Sequence, residues 1–455
     1  MNTAQTALRW TVQAYVPQLA LRRAALHGQL GAKLAVDRST WDNPFPIYDQ
    51  IREHGPLLRT GRLAVTASHE IAGEVLRSPA YGVAVATSEQ LPPLVRRVLA
   101  ALTDPWTIGP TQAPSLLAID PPDHTRLRRL VAKVFTARAM AALESRIGEI
   151  ADELLSALDG ESEVDLIEAY AAPLPVRVIA EILGVPQSMH QQLLLWGNAV
   201  VMILDPSIGF GQFRVATRAL NEMHVWLSEH LGRLRRNPGD NLLSHLAAVA
   251  DDEPGADRKL NDLELRATAL LVIGAGFETT VNLLANGTVQ LLSHPDQLNR
   301  LQDEPDLWAN AVDEVLRIDS PIQETLRFTR QEVLLAGEQL PAGCFVGLLL
   351  GGANWDPDVF PDPARFNVDR PNSKEHLAFS AGVHFCLGAS LARLEGSVGL
   401  RKLVERYPDV SLAPGALRRQ LRVLRGYERL PVLLAGPQSA PRSRSSTSGG
   451  FRDEA

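Results

Sequence analysis

Phe379-Ser380-Ala381-Gly382-Val383-His384-Phe385-Cys386-Leu387-Gly388 contains one of the two cysteines in a chain of 455 residues. It stands directly before a run of helical periodicity through Leu391, Leu394 and Val398. The pattern predicts a helix from about Gly388 to Arg406, with Cys386 in the turn at its N-terminus. Free backbone N–H groups and the positive helix end favour a thiolate at such a place. Gly382 and Gly388 permit a tight turn and the close approach of a flat ligand, and Phe379 can shield the sulfur from water. Taken alone, Cys386 admits three readings: a small buried hydrophobe, a nucleophile assisted by His384, or a shielded thiolate bound to a metal.

A second unusual stretch is Ala275-Gly276-Phe277-Glu278-Thr279-Thr280, midway along a long apolar helical pattern. An ionised glutamate there is costly unless it is hydrogen-bonded or hydrated. Gly276 and Thr279 are three residues apart and share a face, where a glycine leaves room for a small ligand and a threonine can bond back to a carbonyl one turn earlier. The same features also suit a kinked core helix. Leu271, Val272 and Ala275 fall on the Thr279 face at helical spacing and, with Ile322, are the expected lining of a pocket. Further along, Glu314 and Arg317 sit one turn apart, an arrangement that is usually a weak surface ion pair. His124 and Arg128 share a face of the helix opened by Asp120-Pro121-Pro122-Asp123.

Composition narrows the class. Apolar residues make up 45% of the chain and the net charge is −7, so no global basic field draws it to nucleic acid or anionic lipid. Two cysteines, Cys344 and Cys386, exclude a disulfide framework or a four-cysteine zinc site and suit a reducing cytoplasm. The most apolar stretch, Ala267 to Leu292, is interrupted by Glu278, Asn282 and Asn286, so no transmembrane helix is expected. The mixed segment Leu8 to Leu34 reads as a helix interrupted at Pro17 and packed on the body, with interfacial membrane contact as the alternative.

The expected organisation is mainly α with small β-sheets: an N-terminal helical extension (1–36), one large domain (37–436) and a disordered tail (437–455). Leu57 to Thr66 reads as a hairpin, and Ser78 to Ala118 as a long loop. The stretch from Pro121 to about Ile318 has helical periodicity, and Asp356 to Pro371 reads as an ordered meander.

These motifs together resemble the cytochrome P450 family. The cysteine loop matches its Phe-x-x-Gly-x-x-x-Cys-x-Gly signature at every fixed position, and 275–280 matches its oxygen-activation motif. The resemblance implies the P450 fold, with haem b between the long central helix and the helix after the cysteine loop, and Cys386 as the iron ligand. It implies that Thr279 supports proton delivery during oxygen activation and that Glu278 relays protons. His124, Arg128, Arg327 and His384 match propionate anchors, while Phe379, Gly382, Gly388, Gly276 and Ala275 are expected to border the haem. Glu314 and Arg317 become a structural lock whose third member is expected to be Arg365, from Pro363-Ala364-Arg365-Phe366, with Arg370 as the alternative. The implied activity is insertion of one oxygen atom from O2 into a hydrophobic lipid, steroid, terpene or polyketide. Electrons would come from a ferredoxin and ferredoxin reductase; Arg126, Arg129 and Arg393 read either as its basic docking patch or as ordinary solvated surface. A peroxide-driven peroxygenase and a non-catalytic haem protein are the rival readings.

Overall fold

Helix Asp262–Ser293 organises the structure, a computed structural model that describes residues 3–83, 93, 97, 108–132, 137–205, 207–249 and 260–434. Most of the loop expected at 78–118, and the tail expected at 437–455, lie outside the described residues. Asn261 starts the helix. Its Oδ1 accepts the N–H groups of Leu263 (3.0 Å) and Glu264 (2.9 Å), and Glu264 returns a carboxylate oxygen to the Asn261 N–H at 2.9 Å. This reciprocal cap fixes where the helix begins. Among the described residues it is the one helix long and apolar enough to cross a membrane, yet 67% of its apolar window is buried by the rest of the protein. It is a core helix wrapped by other helices.

Helix Ala389–Arg406 packs across it, as do Pro173–Leu183 and Trp308–Ile318. The crossing is close. A Cβ at Gly399 would stand 2.8 Å from Leu284 and 3.0 Å from Leu174, so only glycine lets these helices meet at this distance.

The expectation of a mainly helical protein with small sheets is met. The largest sheet orders its strands as Leu58–Thr60, Leu63–Thr66, Phe345–Leu348, Thr325–Thr329 and Tyr81–Val83. Its first two strands form the expected hairpin, with Leu58 opposite Val65 and Gly61 in the turn. Alternation along Thr325–Thr329 turns Arg327 and Thr329 inward and leaves Leu326 exposed. The break expected at Pro17 does not occur. The helix runs from Thr3 to Leu26 through a π-helical turn, Thr11–Tyr15, where the Val16 N–H reaches back to the Thr11 carbonyl. The wider turn just ahead of Pro17 accommodates a ring that cannot donate a hydrogen bond.

The meander at 356–371 is held by a buried charge cluster. Arg317 donates to Glu314 through Nε (2.7 Å) and Nη2 (2.9 Å), and to the carbonyls of Asn354 (3.0 Å) and Pro363 (2.9 Å). The third member is Arg370, not Arg365: Arg370 Nε lies 3.1 Å from both Glu314 oxygens. Arg365 turns its side chain to solvent and contributes its carbonyl, which accepts from Arg317 (3.3 Å) and Arg370 (2.9 Å). The reason is local. Phe366 and Val368 are buried along this stretch, so alternation carries Arg370 inward and leaves Arg365 and Asp369 outside. Glu314→Ala, which strands two buried guanidinium groups, should therefore cost about 3–5 kcal/mol. Arg365→Ala should stay within about 0.5 kcal/mol of the parent. Urea unfolding of the two variants checks the assignment.

Candidate active site

The cysteine loop is bent by two residues with left-handed backbone, Ser380 (φ 62°) and Gly382 (φ 67°). The Cys386 N–H donates to the Phe379 carbonyl at 2.9 Å, and the Phe385 N–H to the Gly382 carbonyl at 3.1 Å. Gly388 then caps helix Ala389–Arg406 and offers its N–H to the sulfur. Burial pushes the Cys386 thiol up, against the Gly388 N–H, Arg128 and Arg393, which favour the thiolate. The Cys386 residue nonetheless keeps exposed surface. Phe379 is buried, with the Arg393 guanidinium 4.7 Å over its ring. At Gly382 the direction a side chain would take is closed. A Cβ there would strike the Leu76 carbonyl at 2.3 Å, so this glycine seats the loop on helix His69–Arg77. Around Gly388 a Cβ would meet nothing within 4 Å.

Four cationic or basic side chains converge beside the sulfur. His124 and His384 have ring centroids 4.2 Å apart. Arg327 is buried, donates to Thr325 Oγ1 (2.9 Å) and the Leu326 carbonyl (3.0 Å), and has no ion pair among the described residues. Burial lowers its pKa to about 10. Burial, then His124 and Arg327, drive His384 down to about 4. Arg128 is lowered by burial and feels the Cys386 charge. One carboxylate stands near, Asp120, at 3.5 Å from His384; it is already engaged by Arg330 at 2.8 Å. His384 Nε2 has no hydrogen-bond partner. Two guanidinium groups, Arg128 and Arg327, beside two neutral imidazoles that can each donate an N–H, make a site suited to an anion. Two carboxylates on a flat macrocycle, with a metal for the thiolate, fit this donor set.

The wall opposite is the central helix. Buried from Glu264 to Leu270 and again from Thr280 to Thr288, it is open between them at Leu271, Val272, Gly274, Ala275, Gly276 and Thr279. Leu271, Val272, Ala275 and Thr279 thus share one strip of the helix that its neighbours leave uncovered. Ile322 is half-buried and bridges Leu424 across a strand-like contact. Gly276 lies on this open stretch, and a Cβ there would stand 2.6 Å from Ile179, so glycine is needed for helix packing as well. Thr279 Oγ1 donates to the Ala275 carbonyl at 2.9 Å. Glu278 is buried, ion-paired with Arg419, and leaves Oε2 without a partner. Burial raises its pKa and Arg419 opposes the rise.

Two partners were not foreseen. Arg419 comes from 141 residues away, and no local pattern announces it. Glu395, on helix Ala389–Arg406, is fully buried; Thr280 Oγ1 donates to it at 3.4 Å, while Oε1 has no partner. The signal for Glu395 was present: it sits between Leu391 and Val398 on an apolar helix face. The candidate basic docking patch is dispersed. Arg126 pairs with Glu264 and Arg393 with Asp313, which leaves Arg129 as the exposed member.

The family model described as cytochrome P450 matches residues 163–416. The chain is 44% identical to cytochrome P450 140 of Mycobacterium tuberculosis over 413 residues, 90% of this chain and 94% of that one. It is 40% identical to the vitamin D(3) 25-hydroxylase of Pseudonocardia autotrophica, over 88% of this chain and 96% of that one. Its fold superposes on a myxobacterial cytochrome P450 crystallised with myristic acid at a TM-score of 0.78 and 33% identity, covering 89% and 99% of the two chains.

Glu395 gives the site a pH signature. Burial lifts its folded pKa from 4.5 to about 8. Between those values the folded state holds a proton that the unfolded chain has lost, so stability falls as pH rises through this window. The slope approaches roughly 1.4 kcal/mol per pH unit for a single group. Glu395→Gln should flatten that decline and be the more stable protein at pH above about 8. Thermal melts of both proteins across the window read the difference.

Proposed function

The chain belongs to the cytochrome P450 family, and from that membership we propose how its residues divide the work of a haem-thiolate monooxygenase. The enzyme class and the protoporphyrin IX haem follow from the family. The haem, when bound, supplies reductive activation of O2 and transfer of one oxygen atom to a hydrophobic substrate.

Cys386 is the proposed iron ligand. The helix N-terminus, the Gly388 N–H, Arg128 and Arg393 hold its negative charge, and Phe379 keeps water from it. His124, Arg128, Arg327 and His384 are proposed to receive the propionates. The observation that carries this reading is the buried Arg327, which has no counter-ion of its own beside a thiol at a helix start.

Thr279 is the proposed proton-delivering hydroxyl on the substrate side, held ready by the Ala275 carbonyl. Glu278 is the proposed relay behind it. In the resting arrangement its ion pair with Arg419 turns it away from the Thr279 strip, so relay requires the carboxylate to let go of Arg419. Proton transfer by such a pair contributes typically 10²–10⁴-fold.

Leu271, Val272, Ala275 and Ile322 give the substrate side an apolar lining, which suits a lipid or steroid-like molecule. We propose a cytoplasmic enzyme that takes electrons from a ferredoxin and its reductase. The exposed Val383 and Phe385 of the cysteine loop, with Arg77 and Lys374 lining the adjoining surface cleft, offer a mixed apolar and basic contact for such a carrier.

Two variants test the division of labour. Cys386→Ala should lose the carbon-monoxide difference band of a thiolate-ligated haem. Thr279→Ala should bind substrate with the same haem spin-state shift but yield at least tenfold less product per O2 consumed. Unchanged coupling in Thr279→Ala would favour a non-catalytic haem protein. Turnover with peroxide but with no ferredoxin would favour a peroxygenase.

A further inference from the structure

The helical stretch Thr3–Leu26 lies against the connection that leads into helix Phe210–Arg236. Trp10 Nε1 and Gln18 Nε2 both donate to the Ile208 carbonyl, at 2.9 and 3.3 Å, and Ala14 packs with Ile208 and Phe213. Apart from the half-buried Trp10, the face buried in this way is small or polar: Thr6, Arg9, Ala14 and Gln18. Five other large apolar side chains point outward. Leu8, Tyr15, Val16, Leu19 and Leu26 are 46, 40, 55, 45 and 88% exposed. Five of the sixteen exposed large apolar side chains among the described residues therefore fall within these nineteen positions. An amphipathic helix whose only apolar neighbour was its own protein would be turned the other way. The arrangement makes sense if a second apolar phase lies outside.

Charge identifies that phase. Residues 1–36 contain Arg9, Arg22, Arg23 and Lys33 and no Asp or Glu, in a chain whose net charge is −7. Along Val16–Leu26 the residues Val16, Leu19, Arg23 and Leu26 recur at three- and four-residue spacing, hence on one face. Arg22 and Arg23 are exposed beside the apolar ones. An apolar stripe edged by guanidinium groups partitions into the headgroup–acyl boundary of an anionic bilayer. A second copy of the chain would suit the apolar stripe but not the charge, since a symmetric contact sets the same basic helix against itself.

We propose that the outer face of helix Thr3–Leu26 docks on an anionic lipid surface through Leu8, Tyr15, Val16, Leu19 and Leu26, with Arg22 and Arg23 reading the headgroup charge. The helix lies in the interface plane and keeps its polar face on the protein. The contact is peripheral and reversible: its electrostatic part weakens with salt.

Flotation of the full-length holoenzyme with vesicles tests this. The protein should float with phosphatidylcholine vesicles that contain phosphatidylglycerol, float less with pure phosphatidylcholine, and be released as salt is raised. The double variant Arg22→Glu, Arg23→Glu should lower partitioning onto the anionic vesicles roughly thirtyfold or more. Leu19→Glu with Leu26→Glu should abolish it. All four positions are exposed, so the haem spectrum and melting temperature should stay as in the parent. The proposal is overturned if the parent stays unbound at every lipid composition, if either double variant floats as the parent does, or if sedimentation shows a dimer that the Leu19/Leu26 variant dissolves.

Discussion

Glu314, Arg317 and Arg370 share one dry site with two positive charges and one negative. The carboxylate cannot satisfy both guanidinium groups, so backbone carbonyls must do the rest. Those of Asn354, Pro361, Asp362, Pro363 and Arg365 all turn toward the pair. A stretch without helix or strand is thereby given one conformation. The next stretch, Leu377 onward, is tied to the same framework: the Leu377 N–H donates to Asn354 Oδ1 at 2.6 Å. Leu377 precedes Phe379 by two residues, and Phe379 receives the Cys386 N–H. The position of the thiol is thus set by a buried charge imbalance whose members lie 16 to 72 residues earlier in the sequence, resolved by carbonyl dipoles.

The same logic runs in reverse at the cation cluster. There the imbalance is left open, with Arg327 buried and His384 held neutral by burial and then by its neighbours His124 and Arg327. That arrangement carries an electrostatic cost, which an anion received at the cluster would relieve. Binding and folding are linked through that cost: whatever neutralises the cluster stabilises the folded state by mass action.

The local motifs were legible because each is short and each imposes its own geometry. The turn before Gly388, the helix through Thr279 and the one-turn spacing of Glu314 and Arg317 all took the form expected. Where the reading failed, the deciding force was tertiary. Arg365 was displaced by Arg370 because burial of Phe366 and Val368 set the alternation. At Gly276 and Gly382 the packing role stayed hidden, because a glycine does not declare which neighbour fills its vacancy; here these are Ile179 and the Leu76 backbone. Arg419 was invisible because an ion pair across 141 residues leaves no periodicity. Pro17 was read as a break because a π-turn has no sequence signature of its own.

Residues 411–433 close the structure on elements laid down much earlier. Pro431–Leu433 pair with Glu163–Asp165. Arg425 binds Asp319 and reaches the carbonyls of Trp41 and Asp42, the former 384 residues away. Contacts of that span form only after the intervening chain has collapsed, since loop closure must precede them. Until this segment docks, Glu278 lacks Arg419 and Asp319 lacks Arg418 and Arg425, so two acids in the helical body remain uncompensated. Glu278 therefore acquires its ion-pair partner only once the C-terminal segment has docked, so the setting of this buried acid is a product of the completed fold.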